Sequence, residues 1–442
     1  MTSFNDLGLA PRLVSVIAEQ GITDPTPIQQ KAIPHAMAGR DVLGLAQTGT
    51  GKTAAFGLPL IHTLLRVGTK PAAKTVRGLI LAPTRELAKQ IRDNLYAYTK
   101  GTHLKVGLVV GGQSIGAQIN RVARGTDLLV ATPGRLIDLL DRDAIRLDQT
   151  KFLVLDEADQ MLDLGFIVAL RKIAPLLASD RQTMLFSATM PKHMEELAAT
   201  YLTDPVRVET APPGKPADKV TQVVHFVDGG EKTQHLIREL GTHPGEMALV
   251  FARTKHGSDR LARALDGAGF SVAAVHGNKS QGQRERAIAA FRDGKVTVLV
   301  ATDVAARGLD IPGVRVVYNY DLPNVPDNYV HRIGRTARAG RDGRAVAFCS
   351  QDQMGELRAI EKTMGKQIPI GSGNPWMADE EIAPKPRRRR PGKGPNAGRG
   401  NPKGASGGRP NQGKGAPNRN GGKPGGSRRR GKSGGRGKSR AA

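Results

Sequence analysis

The sequence predicts an α/β fold with two consecutive parallel-sheet lobes, a linker between them and a polar tail after them. Three observations support this prediction. Short apolar runs recur between helix-like stretches, the series of runs occurs twice, and the composition changes abruptly after Trp376. Continuous apolar runs are typical of strands buried on both faces of a parallel sheet. Strands that alternate with helical segments favour a sheet covered by helices.

Each half of the chain contains six candidate strands. In the first half they lie at residues 41–46, 78–83, 106–111, 127–132, 152–156 and 183–187. In the second half they lie at residues 223–227, 247–252, 272–276, 297–301, 315–319 and 345–349. Three prolines between the halves indicate an exposed linker. The predicted division is therefore residues 1–208, a linker at 209–218, residues 219–372, and a tail at 373–442.

The net charge of +26 is concentrated in the tail. Residues 384–442 contain 19 Lys and Arg and no Asp or Glu, which leaves +7 for residues 1–383. Residues 384–442 have no aromatic residue and no apolar residue larger than Ala, so we expect them to be disordered. Arginine runs at 387–390 and 428–430 suit phosphate backbones, which favours nonspecific RNA capture. The alternatives are a tail that only promotes solubility and a tail that binds an anionic membrane surface.

The single cysteine and the N-terminal residues indicate where in the cell the protein is expected to be found. Cys349 cannot form an internal disulfide and lies in an apolar run, so we expect a buried strand residue rather than a reactive thiol. Residues 1–5 lack the order of a signal peptide, and no apolar run approaches the roughly 18 residues of a membrane span. We therefore expect a soluble cytoplasmic protein with no membrane partner.

A candidate phosphate-binding loop follows the first predicted strand. Residues 46–53 read Ala-Gln-Thr-Gly-Thr-Gly-Lys-Thr and precede a helical stretch, which is the context that such a loop requires. Glycines let backbone N–H groups approach phosphates, and the helix N-terminus adds positive charge. The loop begins with Ala46 where the general pattern has Gly, and an ordinary glycine-rich turn is the alternative. The predicted nucleotide-binding residues are Gln47, Thr48, Gly49, Thr50, Gly51, Lys52 and Thr53, with Lys52 on the β- and γ-phosphates and Thr53 on Mg²⁺.

Two acidic residues follow the strand at 152–155. Asp156 and Glu157 stand at the carboxyl end of a buried strand, where ligands bind in open α/β sheets. Asp156 is predicted to hold Mg²⁺, and Glu157 to orient or deprotonate the attacking water. The alternative is that these residues merely cap a helix.

The second half has no phosphate-binding loop of its own. Instead, residues 331–340 read His-Arg-Ile-Gly-Arg-Thr-Ala-Arg-Ala-Gly and are dense in arginine. Arginines supplied across a cleft stabilise charge that develops on a transferring phosphoryl group. Opposite a loop without its own arginine, a catalytic role is favoured over a plain RNA-binding loop.

Eleven short motifs occur in a fixed order and together resemble the DEAD-box RNA helicase family. They are Gln29, the loop at 46–53, 83–87, 111–112, 132–135, 156–159, 187–189, 251–254, 283–286, 301–303 with 307–310, and 331–338. The resemblance covers about residues 4–370 and implies two tandem RecA-like domains. The wording around residues 276–280 and the basic tail most resemble the bacterial RhlE-type branch.

The resemblance implies roles at the nucleotide. Phe4 and Gln29 are similar to the segment that reads adenine, so the nucleotide is expected to be ATP with Mg²⁺. Asp310 matches the family's ribose or nucleotide contact. The catalytic arginine fingers match Arg335 and Arg338. Ser187 and Thr189 match the motif that couples the γ-phosphate to lobe closure.

The resemblance also implies RNA as the partner. The matching residues are Thr84, Arg85, Gly112, Thr132, Arg135, Gln283, Arg286 and Thr302. Contacts to phosphate and sugar carry no base code, and 2′-OH contacts favour RNA over DNA. Ribosome-assembly or RNA-decay proteins are the expected protein partners.

The expected mechanism follows from a site divided between two lobes. ATP and RNA would each stabilise closure and so bind cooperatively. Closure would bend one strand of a duplex and separate it locally. The alternatives are an ATP-dependent DNA helicase, and an RNA clamp or annealing chaperone that acts through the basic tail.

Overall fold

The computed structural model describes residues 3–46, 49–210, 220–309, 311, 313–337 and 342–376. All of them belong to one compact unit within residues 1–382. The tail at 384–442 and the linker from residue 211 onwards lie outside the described residues.

The first lobe contains a parallel sheet of seven strands. They are β1 (Val42–Leu45), β2 (Val76–Leu81), β3 (Val106–Val109), β4 (Thr126–Ala131), β5 (Phe152–Leu155), β6 (Gln182–Ser187) and β7 (Val206–Glu209). Their spatial order is β3-β4-β2-β5-β6-β1-β7. The α-helices described in this lobe are α1 (Pro11–Ala18), α2 (Pro27–Met37), α3 (Lys52–Leu65), α4 (Arg85–Tyr98), α5 (Ile115–Val122), α6 (Pro133–Leu140), α7 (Ala158–Asp163), α8 (Ile167–Ile173) and α9 (Lys192–Tyr201).

The second lobe contains another parallel sheet of seven strands. They are β8 (Val220–Phe226), β9 (Ala248–Phe251), β10 (Val272–Val275), β11 (Val298–Ala301), β12 (Val316–Asn319), β13 (Gly343–Cys349) and β14 (Ile370–Ser372). The described α-helices are α10 (Lys232–Gly241), α11 (Lys255–Gly267), α12 (Gln281–Arg292), α13 (Asp303–Ala306), α14 (Pro326–Ile333) and α15 (Met354–Met364). The strand order, β10-β11-β9-β12-β13-β8-β14, repeats that of the first lobe strand for strand. The predicted α/β fold of two parallel sheets is confirmed.

Each sheet has one strand more than the sequence predicted. Among the described residues, β7 reads Val-Arg-Val-Glu and pairs only with β1, and β14 reads Ile-Gly-Ser and pairs only with β8. Neither edge strand is buried on both faces, so neither forms the continuous apolar run that marked the others. Glu209, predicted to lie in the linker, is the last residue of β7 and pairs with Leu45.

Alternate residues of the central strands enter different cores. In β1, Val42 packs in the cluster on one face of the sheet, while Leu43 and Leu45 pack in the cluster on the other. This is the arrangement expected for strands covered on both sides. In the second lobe Cys349 is buried within β13, as predicted. No helix of the described residues is long and apolar enough to cross a membrane.

Candidate active site

The candidate phosphate-binding loop joins β1 to α3, the strand-to-helix position that the sequence predicts. Gly51 adopts the left-handed conformation with φ of 89° and is the N-cap of α3, whose first residue is Lys52. A β-carbon at Gly51 would collide with the Gln29 amide, so this position requires glycine for both its backbone and its surroundings. Gly49 also has a positive φ, of 81°. Gln47 and Thr48 lie outside the described residues.

Gln29 is tied to the loop and to its own helix. Its Nε2 donates a hydrogen bond to the Gly51 carbonyl at 2.9 Å, and its Oε1 accepts one from the Thr26 N–H at 2.9 Å. The second bond belongs to the capping box that begins α2. An amide group has two donor hydrogens and two acceptor sites, so one of each is left after these bonds. Gln29 therefore positions the loop and retains the capacity to face an adenine edge.

Phe4 does not reach the same place. It is 2% exposed and packs in the core cluster that contains Ile28 of α2. It is absent from the lining of the cavity described below. The structure thus shows Phe4 packed in the core with Ile28 of the Gln29 segment, and its contact with adenine stays a prediction.

A buried ion pair links the loop to the end of β5. Lys52 Nζ lies 3.7 Å from Asp156 Oδ1 and donates to the Ala46 carbonyl at 3.2 Å. The two side chains are only 6% and 4% exposed. Burial raises the pKa of the Asp156 carboxyl, and the Lys52 ammonium opposes that rise. Further positive charge beside Asp156 would offset the energetic cost of burying its carboxylate.

Glu157 stands between β5 and α7 in a strained backbone conformation. Its φ is +52°, which is uncommon for a residue other than glycine and marks many functional sites. Its side chain is buried, and its Oε2 has no hydrogen-bond partner among the described residues. Burial raises the pKa of its carboxyl, while Lys52 and Arg335 oppose the rise. An unpartnered buried acceptor is suited to holding a water or an ion.

Arg335 comes from the second lobe and faces these carboxylates. It follows α14, and its Nη1 donates to the Leu309 carbonyl at 2.9 Å while its Nε donates to His331 O at 3.3 Å. These bonds hold the guanidinium in place, and its charge lowers the pKa of Glu157 across the lobes. Arg338 and Asp310 lie outside the described residues.

The two lobes enclose a cavity of about 310 Å³ at this point. Its lining includes Gln29, Gly49, Gly51, Lys52, Thr53, Asp156 and Glu157 from the first lobe and Gly308 and Arg335 from the second. Donors, carboxylates and an arginine thus converge on one space, which neither lobe encloses alone. Such a space suits a polyanionic ligand held by backbone N–H groups and a lysine.

Asp159 connects this cavity to the β6 end. Its Oδ2 accepts hydrogen bonds from the Ala188 N–H at 3.0 Å, the Thr189 N–H at 3.0 Å and Thr189 Oγ1 at 3.2 Å. Ser187 Oγ donates to the Thr189 carbonyl at 2.6 Å. His331 Nε2 of the second lobe lies 3.9 Å from the same carboxylate oxygen. The sequence predicts roles for Ser187 and Thr189 but none for Asp159 or His331.

Three of the predicted RNA-contacting threonines begin helices. Thr84, Thr132 and Thr302 are the N-cap residues of α4, α6 and α13, each at the carboxyl end of a strand. Exposed N–H groups at such helix starts bind phosphate. Arg135, in α6, donates from Nη1 to the Gln113 carbonyl at 3.0 Å.

Arg85 and Gly112 are packed together. Gly112 has a φ of +74°, and a β-carbon there would collide with Nη1 of Arg85. The same Nη1 donates to Gln281 Oε1 of the second lobe at 3.2 Å. Arg85 therefore lies at the junction between the lobes, beside a backbone position that only glycine leaves open.

Gln283 and Arg286, the predicted RNA-contacting pair, are both exposed near the start of α12, and their contact with RNA stays a prediction. Gln283 closes the capping box at the start of α12, with its Oε1 accepting from the Ser280 N–H at 2.9 Å, and Arg286 is exposed. The residues that cross to the first lobe stand two positions earlier. Gln281 contacts Arg85 and Glu86, and Arg284 pairs with Glu86 at 2.9 Å. The same residue spacing occurs twice in this segment, and only helix phase distinguishes the two pairs.

Comparisons with known proteins cover both lobes of the chain. Residues 26–197 match the DEAD/DEAH box helicase family model, and residues 231–340 match the helicase conserved C-terminal domain. The ATP-dependent RNA helicase CshA of Listeria monocytogenes is 43% identical over 87% of this chain and 72% of its own length. The DEAD-box ATP-dependent RNA helicase CshA of Bacillus subtilis is 42% identical over 83% of this chain and 73% of its own length. These relatives are named CshA, so they give no support to the RhlE-type branch.

Two solved structures share the fold in ligand-bound form. S. cerevisiae Dbp5 bound to RNA and ADP BeF3 has a TM-score of 0.75 and 32% identity, over 84% of this chain and 96% of that one. Mss116p bound to ssRNA and AMP-PNP has a TM-score of 0.77 and 29% identity, over 86% of this chain and 81% of that one. The likeness spans both lobes.

Proposed function

The chain belongs to the DEAD-box RNA helicase family, and from this premise we propose that it separates short RNA duplexes locally in a reaction coupled to RNA-stimulated ATP hydrolysis. The observation that carries the proposal is the cavity shared by the two lobes. Lys52, Asp156 and Glu157 line it from one side and Arg335 from the other. A pocket completed only by closure provides a physical link between nucleotide and lobe movement.

In the proposed nucleotide complex, the loop that begins α3 binds the phosphates. Lys52 Nζ already donates to the carbonyl of Ala46, the first residue of the loop. In the complex it binds the β- and γ-phosphates in place of its contact with Asp156. The remaining donor and acceptor of Gln29 contact the adenine edge, which favours ATP over GTP. Gln47, Thr48, Asp310 and Phe4 stay predicted contacts.

The residues present fit a Mg²⁺ ion. Asp156 is a buried carboxylate whose pKa is raised by burial, Glu157 carries an unpartnered oxygen, and Thr53 lines the same cavity. We assign Thr53 and Asp156 to hold the ion. When bound, Mg²⁺ would supply positive charge that neutralises phosphate oxygens.

Glu157 and Arg335 are the proposed catalytic pair across the cleft. The unpartnered Glu157 Oε2 orients the attacking water and accepts its proton. Arg335 is held by two backbone carbonyls, and it stabilises the charge that develops on the γ-phosphoryl group. Arg338 is predicted to act with it.

Asp159 connects the nucleotide cavity to the turn at Ala188–Thr189 and to the second lobe. Its carboxylate binds the Ala188–Thr189 turn and faces His331 of the second lobe. We propose that a change at the γ-phosphate reaches the turn at Ser187 and Thr189 through α7, and that closure depends on it.

RNA is the proposed partner along the helix starts at Thr84, Thr132 and Thr302. Backbone and hydroxyl contacts of this kind are independent of base sequence. The RNA-bound state of the similar Dbp5 and Mss116p structures supports this assignment. The division at residues 208, 218 and 372, the cytoplasmic location, the RhlE-type branch and protein partners from ribosome assembly or RNA decay remain predictions.

ATP hydrolysis by the full chain tests the proposal. Single-stranded RNA is expected to stimulate hydrolysis, DNA of the same sequence is not, and Lys52→Ala is expected to abolish it. Arg335→Ala should lower the stimulated rate by about 10³-fold, the usual contribution of such an arginine. Equal stimulation by DNA would favour a DNA helicase.

A second experiment tests the chain without residues 384–442. Strand separation is expected to persist in the presence of ATP, with weaker RNA binding at moderate salt. Separation that needs only the tail and no ATP would instead support an annealing chaperone.

A further inference from the structure

Two histidines and a glutamate converge on the second lobe, away from the nucleotide cavity. His225 is in β8, and His235 and Glu239 are one helical turn apart in α10. The Nε2 atoms of both imidazoles lie 4.0 Å from Glu239 Oε1, and the three ligand atoms lie within 4.8 Å of one another. None of the three residues lines the nucleotide cavity.

The cluster has features expected of a metal-binding site. His235 Nε2 is buried and has no hydrogen-bond partner among the described residues. His225 Nδ1 is bonded to Ser372 Oγ at 2.7 Å, which fixes the ring and points Nε2 towards Glu239. The ring of Phe348 packs against both imidazoles, with centroid distances of 6.1 and 5.2 Å, and provides an apolar wall.

From this geometry we propose that His225, His235 and Glu239 bind a divalent transition-metal ion, with Zn²⁺ the best match. Imidazole nitrogen and carboxylate oxygen are ligands that Zn²⁺ accepts, and three protein ligands leave one position for water. A point equidistant from the three atoms lies about 2.5 Å from each. Zn–N bonds are about 2.0–2.1 Å long. Each ligand atom would therefore move by about half an ångström, which small side-chain rotations supply.

The charges around the cluster set the protonation that binding requires. Burial lowers the pKa of His225 and of His235, which favours the neutral imidazole, the form that binds metals. Arg238 Nη2 donates to His235 Nδ1 at 3.3 Å, and Glu239 and Glu231 are the acidic residues whose charge acts on this ring. Arg238 can only donate, so the His235 ring proton lies on Nε2 in the metal-free protein. On metal binding that proton moves to Nδ1 by exchange with water, and the exposed Arg238 side chain turns away.

The ion would fasten α10 to β8. Because Ser372 belongs to β14, the His225 ring also connects the site to the edge strand that precedes the basic tail. A side chain at Gly371 would collide with the same ring, so β14 approaches it closely. The proposed ion is thus structural and independent of the ATP reaction.

The test titrates the chelator-treated full chain with ZnCl₂ without ATP or Mg²⁺, and follows CoCl₂ binding by visible absorption. We expect one equivalent of Zn²⁺, a four-coordinate Co²⁺ spectrum and a rise in unfolding temperature. Glu239→Gln and His235→Asn should each weaken binding by at least about 10-fold, and Ser372→Ala, which removes a positioning residue, by about 10-fold. His256→Asn, an exposed histidine in α11, is the matched control and should bind as the native chain does.

A loss of metal binding must be distinguished from a loss of folding, and ATP hydrolysis by the variants makes that distinction. His235 and Glu239 lie on a helix surface, and RNA-stimulated ATP hydrolysis by both variants should equal that of the native chain. The proposal is overturned if the native chain binds Zn²⁺ no more tightly than the His235→Asn/Glu239→Gln double variant. It is also overturned if the Co²⁺ spectrum is the same in both proteins.

Discussion

Arg284 of the second lobe pairs with Glu86 of the first at 2.9 Å, and the two side chains are only 14% and 9% exposed. Gln281 extends the contact by donating to Glu86 at 3.4 Å and accepting from Arg85 at 3.2 Å. These bonds exist only when the lobes are together. They therefore contribute to the difference in free energy between open and closed forms, which is the quantity that ATP and RNA are proposed to change.

Arg284→Ala should weaken the cooperativity between ATP and RNA. Removing one member of a shielded pair leaves Glu86 uncompensated in the closed form, while in the open form water solvates it. We expect the factor by which saturating RNA tightens ATP binding to fall about 10-fold, or about 1.4 kcal/mol of coupling free energy. Nucleotide affinity with and without RNA measures this factor.

The charge-swapped double variant Glu86→Lys/Arg284→Glu provides the control and should restore part of the coupling. Arg286→Ala, two residues further along α12, removes an exposed cation that is predicted to contact phosphate. It should lower RNA affinity and its salt dependence but leave the coupling factor unchanged. Equal coupling losses for Arg284→Ala and Arg286→Ala would contradict the distinction between these positions.

Glu157→Gln should stabilise the nucleotide-free protein while it abolishes turnover. Burial raises the pKa of this carboxyl in the folded state, so the folded protein is penalised for carrying the charge. The penalty is present above the raised pKa and disappears as the pH falls below the ordinary value of about 4.3. The variant should therefore unfold a few degrees higher than the native chain at pH 7, with the difference vanishing near pH 4.

Thermal unfolding across that pH range, together with ATP hydrolysis, separates the two effects. The variant should still bind RNA in the presence of ATP, because Lys52 and Arg335 are intact. Near-normal RNA-stimulated hydrolysis by Glu157→Gln would disprove the water-positioning role.

Much of this site follows from sequence because its key residues stand next to strand ends. Lys52 and Asp156 follow buried strands, and parallel strands bring their carboxyl ends to one edge of the sheet. Glu157 follows directly, and its buried position could be expected from that of Asp156. Arg335 was predicted from its arginine-rich segment, although only the structure shows which carbonyls hold it.

The contacts between the lobes could not be predicted in this way. Gln281 and Arg284 have the same spacing as Gln283 and Arg286, and the choice between the pairs depends on where α12 begins and which face it turns to α4. Asp159 acts through three donors on the Ala188–Thr189 turn, a contact between segments about 30 residues apart that leaves no local pattern. The same holds for the contact of His225 in β8 with His235 and Glu239, which are both in α10.

Asp159→Asn should separate ATP hydrolysis from duplex separation. Asp159 Oδ1 accepts from the Gln160 N–H and Oδ2 from three further donors, so either orientation of an amide sets an NH₂ group against a donor. Loss of these charge-assisted bonds should destabilise the protein by about 1–3 kcal/mol. Duplexes separated per ATP hydrolysed should fall, whereas the exposed Asp138→Asn should behave as native. An unchanged ratio would show that Asp159 does not transmit closure.

Cys349 should be unreactive in the folded protein. Burial in β13 raises the pKa of its thiol to about 12, and the thiolate is the reactive form. A colourimetric disulfide reagent at pH 7 should label Cys349 only when the second lobe unfolds. Labelling should therefore be rapid in urea. Cys349→Ser supplies the blank. Fast labelling of the native chain without denaturant would contradict the buried position.

Gly112→Ala should disturb RNA binding through Arg85. The φ of +74° is unfavourable for alanine, and the added β-carbon would collide with Arg85 Nη1, which must then move from Gln281. We expect RNA affinity to fall about 10-fold, or about 1.4 kcal/mol. Fluorescence anisotropy with labelled single-stranded RNA measures it.

Gly116→Ala is the matched control for this variant. Gly116 lies in α5, and a β-carbon there would have no atom within 4 Å, so alanine should leave RNA binding unchanged and stabilise the helix by about 0.5–1 kcal/mol. If the effect of Gly112→Ala is transmitted by Arg85, the double variant with Arg85→Ala should bind RNA no more weakly than Arg85→Ala alone. Additive losses would instead place Gly112 itself against the RNA backbone.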